Sequence, residues 1–134
     1  MRVVIDANVL ISALIRDGVT RRLIFKSELY LVAPKFILVE VEKYKKEIQI
    51  KSKLTDEQVG VLLNGCISEI TLVEDVDLVP FLRAAETLTA ADNDLLYLAC
   101  ALKVNADIWT NDKGFQNQNR VKIWTTEQLV NAIL

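Results

Sequence analysis

The sequence predicts an α/β protein built on a parallel sheet with helices on both faces. Three observations carry this. Short apolar runs rich in β-branched residues recur along the chain, each too brief for a helix. Each is followed by a segment whose apolar residues fall at helical spacing. The alternation runs throughout, without repeats, low-complexity tracts or a linker, which is the pattern of strands joined by crossover helices. A length of 134 residues suits one domain over 1–134, and such a chain can bury roughly 70% of its unfolded surface without covalent staples.

Val3-Val4-Ile5 reads as a strand buried on both faces. Asp6 follows at once, and Val9, Leu10, Ala13 and Leu14 then recur at helical spacing. A carboxylate therefore stands at the carboxyl end of a strand, the edge where open α/β sheets bind ligands. After Asp17-Gly18, Thr20 through Glu28 predicts a short helix with Arg21, Arg22 and Lys26 as a basic face. That face is either a solvated surface or a contact for a phosphate backbone.

Leu29 through Ala33 is the second strand, and Pro34 fits the first turn of a long helix running to about Gln49. Ile37, Val41, Tyr44 and Ile48 define its buried face. Glu40, three residues after Ile37 and four before Tyr44, projects from the same face. Burying it unpaired is costly, so an arginine, hydrogen bonds or a cation must hold it. Glu42 points toward Lys45 and Lys46 and belongs to the surface.

Thr55 and Gln58 form a capping-box pattern that opens a helix ending near Ile67. Ile70 through Val73 is a short strand, and Glu74-Asp75-Val76-Asp77 reads as a solvated acidic loop before the helix at Pro80, which Leu82 to Thr89 completes. Ala90-Ala91-Asp92-Asn93-Asp94 leads into a helix carrying Leu95, Leu96, Leu98, Ala99 and Leu102, with little polar surface. Asp92 or Asp94 can cap it, and Asp94 leans toward the packed side. Ala106 through Thr110 is a strand, followed by Asn111-Asp112-Lys113-Gly114. This is an Asx-type turn, or it sets Asp112 beside Asp6. Val121 through Trp124 is the last strand, and Thr125 with Gln128 repeats the capping box for the final helix through Leu134.

Composition narrows the chemistry. The net charge of −2 gives no overall attraction to nucleic acid, so any pull on phosphate must come from a local patch or a metal. Cys66 and Cys100 sit among apolar residues and read as buried free thiols of a reducing compartment. No stretch reaches the ~18 apolar residues of a membrane span and the charged start is not a signal peptide, so a cytoplasmic location is expected. Histidine is absent. That excludes Ser-His and Cys-His nucleophiles, and with only two cysteines it argues against a zinc site. A bound metal would have oxygen ligands, which suits magnesium or manganese.

Four acids then fall into a pattern. Asp6 and Asp112 each follow a strand directly, Asp94 opens a buried helix, and Glu40 faces inward. Four carboxylates sharing one pocket repel and cannot all stay ionised without a cation. A divalent ion relieves that repulsion, lowers the pKa of a bound water and stabilises charge on a phosphoryl oxygen.

These residues resemble the PIN domain family, a nuclease fold used by the toxin half of many prokaryotic toxin–antitoxin pairs. Val3 through Ala13, with Asp6, Asn8 and Ser12, looks like that family's first motif; Pro34 through Val41, with Glu40, looks like its second. Asp94 through Leu102 resembles the third and Ile108 through Phe115, with Thr110, Asn111 and Asp112, the fourth. The spacing covers nearly the whole chain. The resemblance implies a three-layer α/β/α sandwich around a parallel sheet of about five strands. It further implies a ribonuclease using Mg2+ or Mn2+, with Asp6, Glu40, Asp94 and Asp112 as catalytic residues and metal ligands. Asn8, Ser12, Thr110, Asn111 and Asp92 would support them, and an antitoxin partner and a homodimer are expected. Arg21, Arg22 and Lys26, or Lys43 and Lys46, would position the RNA backbone. One departure stands out: the family often has an acid three residues before the position of Asp94, and here that residue is Ala91. Either Asp92 substitutes or the site has fewer ligands.

Two other classes compete. A module that binds RNA or protein and keeps the acidic pocket without chemistry is favoured by Ala91. A phosphoacceptor receiver domain needs an Asp after its middle strand, which Asp75 or Asp77 could supply, but the paired acids expected after the first strand are missing. A haloacid-type phosphatase wants an Asp where Asn8 stands.

Overall fold

The computed structural model describes residues 1–89 and 91–134. Ala90, in the stretch leading to Asp94, lies outside the described residues. Five parallel strands form one sheet: β1 (Arg2–Ile5), β2 (Tyr30–Pro34), β3 (Ile70–Val73), β4 (Asp107–Trp109) and β5 (Ile123–Trp124), in the order β3-β2-β1-β4-β5. β1 lies in the middle because Val3, Val4 and Ile5 after the exposed Arg2 are apolar and fully buried. The chain winds outward from β1 to β3 and then returns to the far side of β1 as β4. The topological switch point, and the crevice it opens, therefore fall between the carboxyl ends of β1 and β4.

Among the described residues eight α-helices flank the sheet, giving the three layers that the sequence predicts. α1 (Ala7–Ile15) packs with α2 (Val19–Ile24), α3 (Ile37–Lys43), α4 (Lys45–Ser52) and α5 (Asp56–Ile67). α6 (Val79–Glu86) packs along α7 (Leu95–Val104), which lies against β1, β2 and β4. Right-handed crossovers put helices on opposite faces once the winding direction reverses. α7 buries five consecutive residues, Tyr97 to Ala101, because it is enclosed by the sheet and α6. α8 (Thr126–Ile133) closes the chain behind the Thr125 capping box, and α5 starts behind the matching box at Thr55. No described helix is long and apolar enough to cross a membrane.

Four local readings change. Pro34 is the last residue of β2, paired with Val73, rather than the start of a helix; the carboxyl end of a strand tolerates its missing amide. The long helix expected to Gln49 is broken at Tyr44, whose amide reaches back only to the Val41 carbonyl. The break turns Tyr44 outward while Ile37, Val41 and Ile48 stay buried. The second helix stops at Ile24 rather than Glu28. The acidic segment after β3 is a 3-10 turn (Asp75–Leu78), and Asp75 Oδ1 accepts the Phe36 amide at 3.1 Å, just ahead of α3.

Candidate active site

Asp6 sits between β1 and α1, where its amide donates to the Trp109 carbonyl at 3.1 Å and extends the β1–β4 pairing by one residue. Its carboxylate makes no cap for α1. Instead Oδ2 accepts the Thr110 hydroxyl at 2.8 Å, across 104 residues of sequence. Thr110 is fully buried and its oxygen also accepts the Asp112 amide at 3.0 Å. One hydroxyl thus ties the ends of β1 and β4 together. Asp112 Oδ1 accepts the Gly114 amide at 2.9 Å, so the Asx turn is real. A Cβ at Gly114 would stand 3.3 Å from that oxygen, close enough that the Asp112 side chain would have to shift by a few tenths of an ångström.

Asp94, the last residue of a 3-10 turn (Asp92–Asp94), is 6% exposed, as is Asp6. It does not cap α7 with its side chain. Glu40, on α3, is half-buried, and its Oε1 accepts the hydroxyl of Tyr97 from α7.

The four acids act on one another. Burial is the main cause that lifts Asp6 to about 6; the Thr110 hydroxyl and the Ala7 amide pull it down, while Glu40 and Asp94 push it up. Burial likewise lifts Asp94 to about 6, with Asp112 and Glu40 adding to it. No arginine or lysine acts on either group, and among the described residues none of the ion pairs uses Asp6, Glu40, Asp94 or Asp112. Asp6, Glu40, Asp94 and Asp112 thus lie near enough to repel one another, a set of hard oxygen donors of the chemical type that suits Mg2+ or Mn2+. It is not a finished ligand shell: among the described residues no three Asp, Glu or Cys side chains are placed to hold one ion together.

The supporting residues divide. Asn8 and Ser12, four apart on α1, line a cleft of about 310 Å³ with Val9, Asn111 and Asp112. Asn111 borders that cleft, but its polar atoms are spent on α8: Nδ2 donates to Thr126 Oγ1 at 3.0 Å and Oδ1 accepts the Thr126 amide at 2.9 Å. Asp92 is exposed at the outer end of its turn, whereas Asp94 is buried.

Arg21 of the basic face also binds backbone: its Nε donates to the Ala13 carbonyl at 2.8 Å and Nη1 lies 3.7 Å from Asp17, so part of the guanidinium closes the end of α1. Arg21 nonetheless lines one hollow with Arg22, Lys26, Asp17 and Phe25, and Lys43 and Lys46 border another with Glu42 and Asp56. Neither hollow shares a lining residue with the cleft that Asn8, Ser12 and Asp112 border. A groove of about 520 Å³ does: Ser12 belongs to both, and the groove continues past Ile15, Gly18 and Thr20 between Arg16 and Lys51. Local patterning could not single out these two cations, because they are brought together from the end of α1 and the last turn of α4. Tyr97 was also missed, although a tyrosine in the apolar first turns of α7, three residues after Asp94, signals that its hydroxyl needs a partner. Cys66 and Cys100 are buried and free, and burial pushes both thiols up, Cys100 to about 12. Neither is a nucleophile at neutral pH.

A PIN domain family model matches residues 4–133. No curated relative matches the chain. Among solved structures, a chain of the VapBC2 complex from Rickettsia felis, bound to a DNA fragment from their promoter, is similar with a TM-score of 0.67 and 18% identity. The match covers 93% of this chain and 98% of that one.

Proposed function

This chain belongs to the PIN domain family, and from that premise we propose that it is a metal-dependent endoribonuclease that hydrolyses RNA phosphodiester bonds as the toxin of a toxin–antitoxin pair. The observation that carries the reading is the cluster of Asp6, Glu40, Asp94 and Asp112 at the β1–β4 switch point with no cationic side chain acting on Asp6 or Asp94. A bound Mg2+ or Mn2+ supplies an activated water and stabilises charge on the phosphoryl oxygen. Asp6 and Asp94, buried and in repulsion, are the residues with most to gain from holding it. Magnesium keeps several waters and is commonly bound through one or two carboxylates plus substrate phosphate. That habit suits a site in which no three acids converge.

The chain's own groups do the rest. Thr110 fixes the Asp6 oxygen that it bonds. Glu40 and Asp112 add negative charge around Asp94. Asn8 and Ser12 line the cleft beside them and offer polar contacts to ribose or phosphate. A strand leaving the cleft past Ser12 would pass between Arg16 and Lys51, whose charges offset the repulsion between RNA and the acids. Arg22, Lys26, Lys43 and Lys46 stand on other hollows. RNA as substrate rests on likeness to family members that cut it. An antitoxin partner rests on the VapBC2 neighbour, and the buried unpaired thiols suit the cytoplasm. Homodimerisation, expected from the same family likeness, is read by light scattering.

The test is cleavage of single-stranded RNA and DNA oligonucleotides with Mg2+, Mn2+ or EDTA, by wild type and Asp6→Asn. Metal-dependent RNA cleavage lost in the variant is expected. Binding of RNA without cleavage at any metal concentration would support the second reading, a binding module, which Ala91 favours by leaving an acid position empty.

A further inference from the structure

The groove of about 520 Å³ beside the cleft holds polar groups that the fold does not use. It lies between the end of α1, the start of α2 and the last turn of α4, and Ser12 joins it to the cleft. Among the described residues every serine and threonine hydroxyl makes a hydrogen bond within the protein except two, those of Ser12 and Thr20. Both line this groove. Arg16 enters none of the ion pairs among the described residues, and Lys51 pairs only with Glu47, at 2.7 Å on the surface. Between these polar groups the wall is apolar: Val19 is 44% exposed beside the half-buried Ile15.

Open hydroxyls, unspent cations and an apolar wall are what an unpaired nucleotide asks of a protein. Single-stranded RNA is read where a base is splayed out, with its face against a side chain and its edge hydrogen-bonded. A hydroxyl both donates and accepts, so it can meet either kind of group on that edge. The two cations at the rim favour a polyanion as the occupant, and Ser12 makes the groove continuous with the cleft where the same chain would be cut. We propose that this groove is a nucleobase subsite next to the scissile phosphate, with Thr20 as a specificity-determining residue that bonds the edge of the base. Ile15 and Val19 lie against the face of the base, and Arg16 takes a neighbouring phosphate. The inference rests on the ribonuclease reading above and goes beyond it: the protein discriminates among RNA sequences at one unpaired position.

The experiment first maps where wild type cuts a pool of random-sequence single-stranded RNA with Mn2+. A preferred base is expected at one position beside the cut. kcat/KM is then measured on an oligonucleotide carrying that base and on its twin with an abasic residue there, which keeps the ribose and the phosphates. Losing the base is expected to cost wild type roughly 10-fold. Thr20→Val keeps the shape of the side chain and removes the hydroxyl. In that variant the same loss is expected to shrink to roughly 3-fold or less, since only the apolar contact remains. A merely structural role for Thr20 would lower both rates together and leave their ratio alone. A ratio unchanged in Thr20→Val, or a wild type that cuts with no preferred base, overturns the inference, leaves the groove to another occupant such as a protein segment, and leaves the ribonuclease reading standing. A wild type that cuts no RNA overturns both. Should Thr20→Val fail to fold, Val19→Ser, at an exposed position, is expected to shrink the ratio in the same way, and an unchanged ratio there overturns the inference.

Discussion

Replacing Asp6 by Asn is expected to stabilise the metal-free protein. Asp6 rises from 3.8 to about 6, so above pH 7 its buried charge weakens the fold by roughly 3 kcal/mol, at about 1.4 kcal/mol per tenfold change. Asparagine removes the charge and keeps an oxygen for the Thr110 hydroxyl. Burying the new amide hydrogens returns about 1–2 kcal/mol of that gain. A net gain of about 1–2 kcal/mol, or roughly 3–8 °C in Tm for a chain this size, is expected at pH 7.5 in EDTA. The sign of the pH dependence follows from the raised value. Between about 4 and 6 the folded state holds a proton that the unfolded state releases, so the wild-type contribution is complete below about pH 4 and lost as pH rises through about 6. Urea melts at pH 7.5 and pH 4.5 should therefore show the advantage of the variant shrinking at the lower pH. Saturating Mn2+ should reverse the order at pH 7.5, since a ligand at 100 times its Kd adds about 2.7 kcal/mol to wild type alone. An Asp6→Asn protein less stable than wild type in EDTA, by the same margin at both pH values, would refute the view of Asp6 as a strained carboxylate.

Thr110→Val removes the bond that lowers Asp6 and frees the Asp112 amide; carbonyl NMR of Asp6 should report a titration shifted upward from about 6, and no shift would discount the contact. Asn111→Ala should cost about 1–2 kcal/mol in urea melts through its two lost bonds to Thr126; unchanged stability would return Asn111 to the cleft as a substrate contact. Arg21→Ala should destabilise by about 1 kcal/mol by exposing the end of α1 and leave the salt dependence of RNA binding alone. Lys51→Glu should instead flatten that dependence by about one charge, and equal slopes in wild type and Lys51→Glu would remove the groove beside Ser12 from the RNA path.

The five strands and both capping boxes could be read locally, because Val3–Ile5, Ile70–Val73 and the Thr-x-x-Gln pairs carry their signal within a few residues. The placement of Asp6, Glu40 and Asp94 could be read as well, since helical spacing and strand ends decide where such side chains face. What escaped was decided by partners far along the chain. Pro34 pairs with Val73, Asp75 serves Phe36, and Tyr97 serves Glu40. Arg21 shows the same limit at short range. Its charge suggested solvent, but eight residues back the Ala13 carbonyl was waiting at the end of a helix that had stopped. Asn111 and Asp112 are neighbours of the same turn-forming kind, and only the position of Thr126 sends one to α8 and leaves the other at the cleft.

The bond between Asp6 and Thr110 also sets a timetable. A ribosome delivers Asp6 first, Glu40 and Asp94 later, and β4 with Thr110 only in the last fifth of the chain. Until β4 slots in beside β1, the first strand has an open edge, Asp6 has no hydroxyl beside it, and Asp112 is absent. A polypeptide halted before residue 107 therefore carries three of the four acids and no pocket. Closing so distant a pair is slow compared with forming local helices. The acid-bearing edge is thus the part of the molecule to be completed late, after the other strands have been delivered.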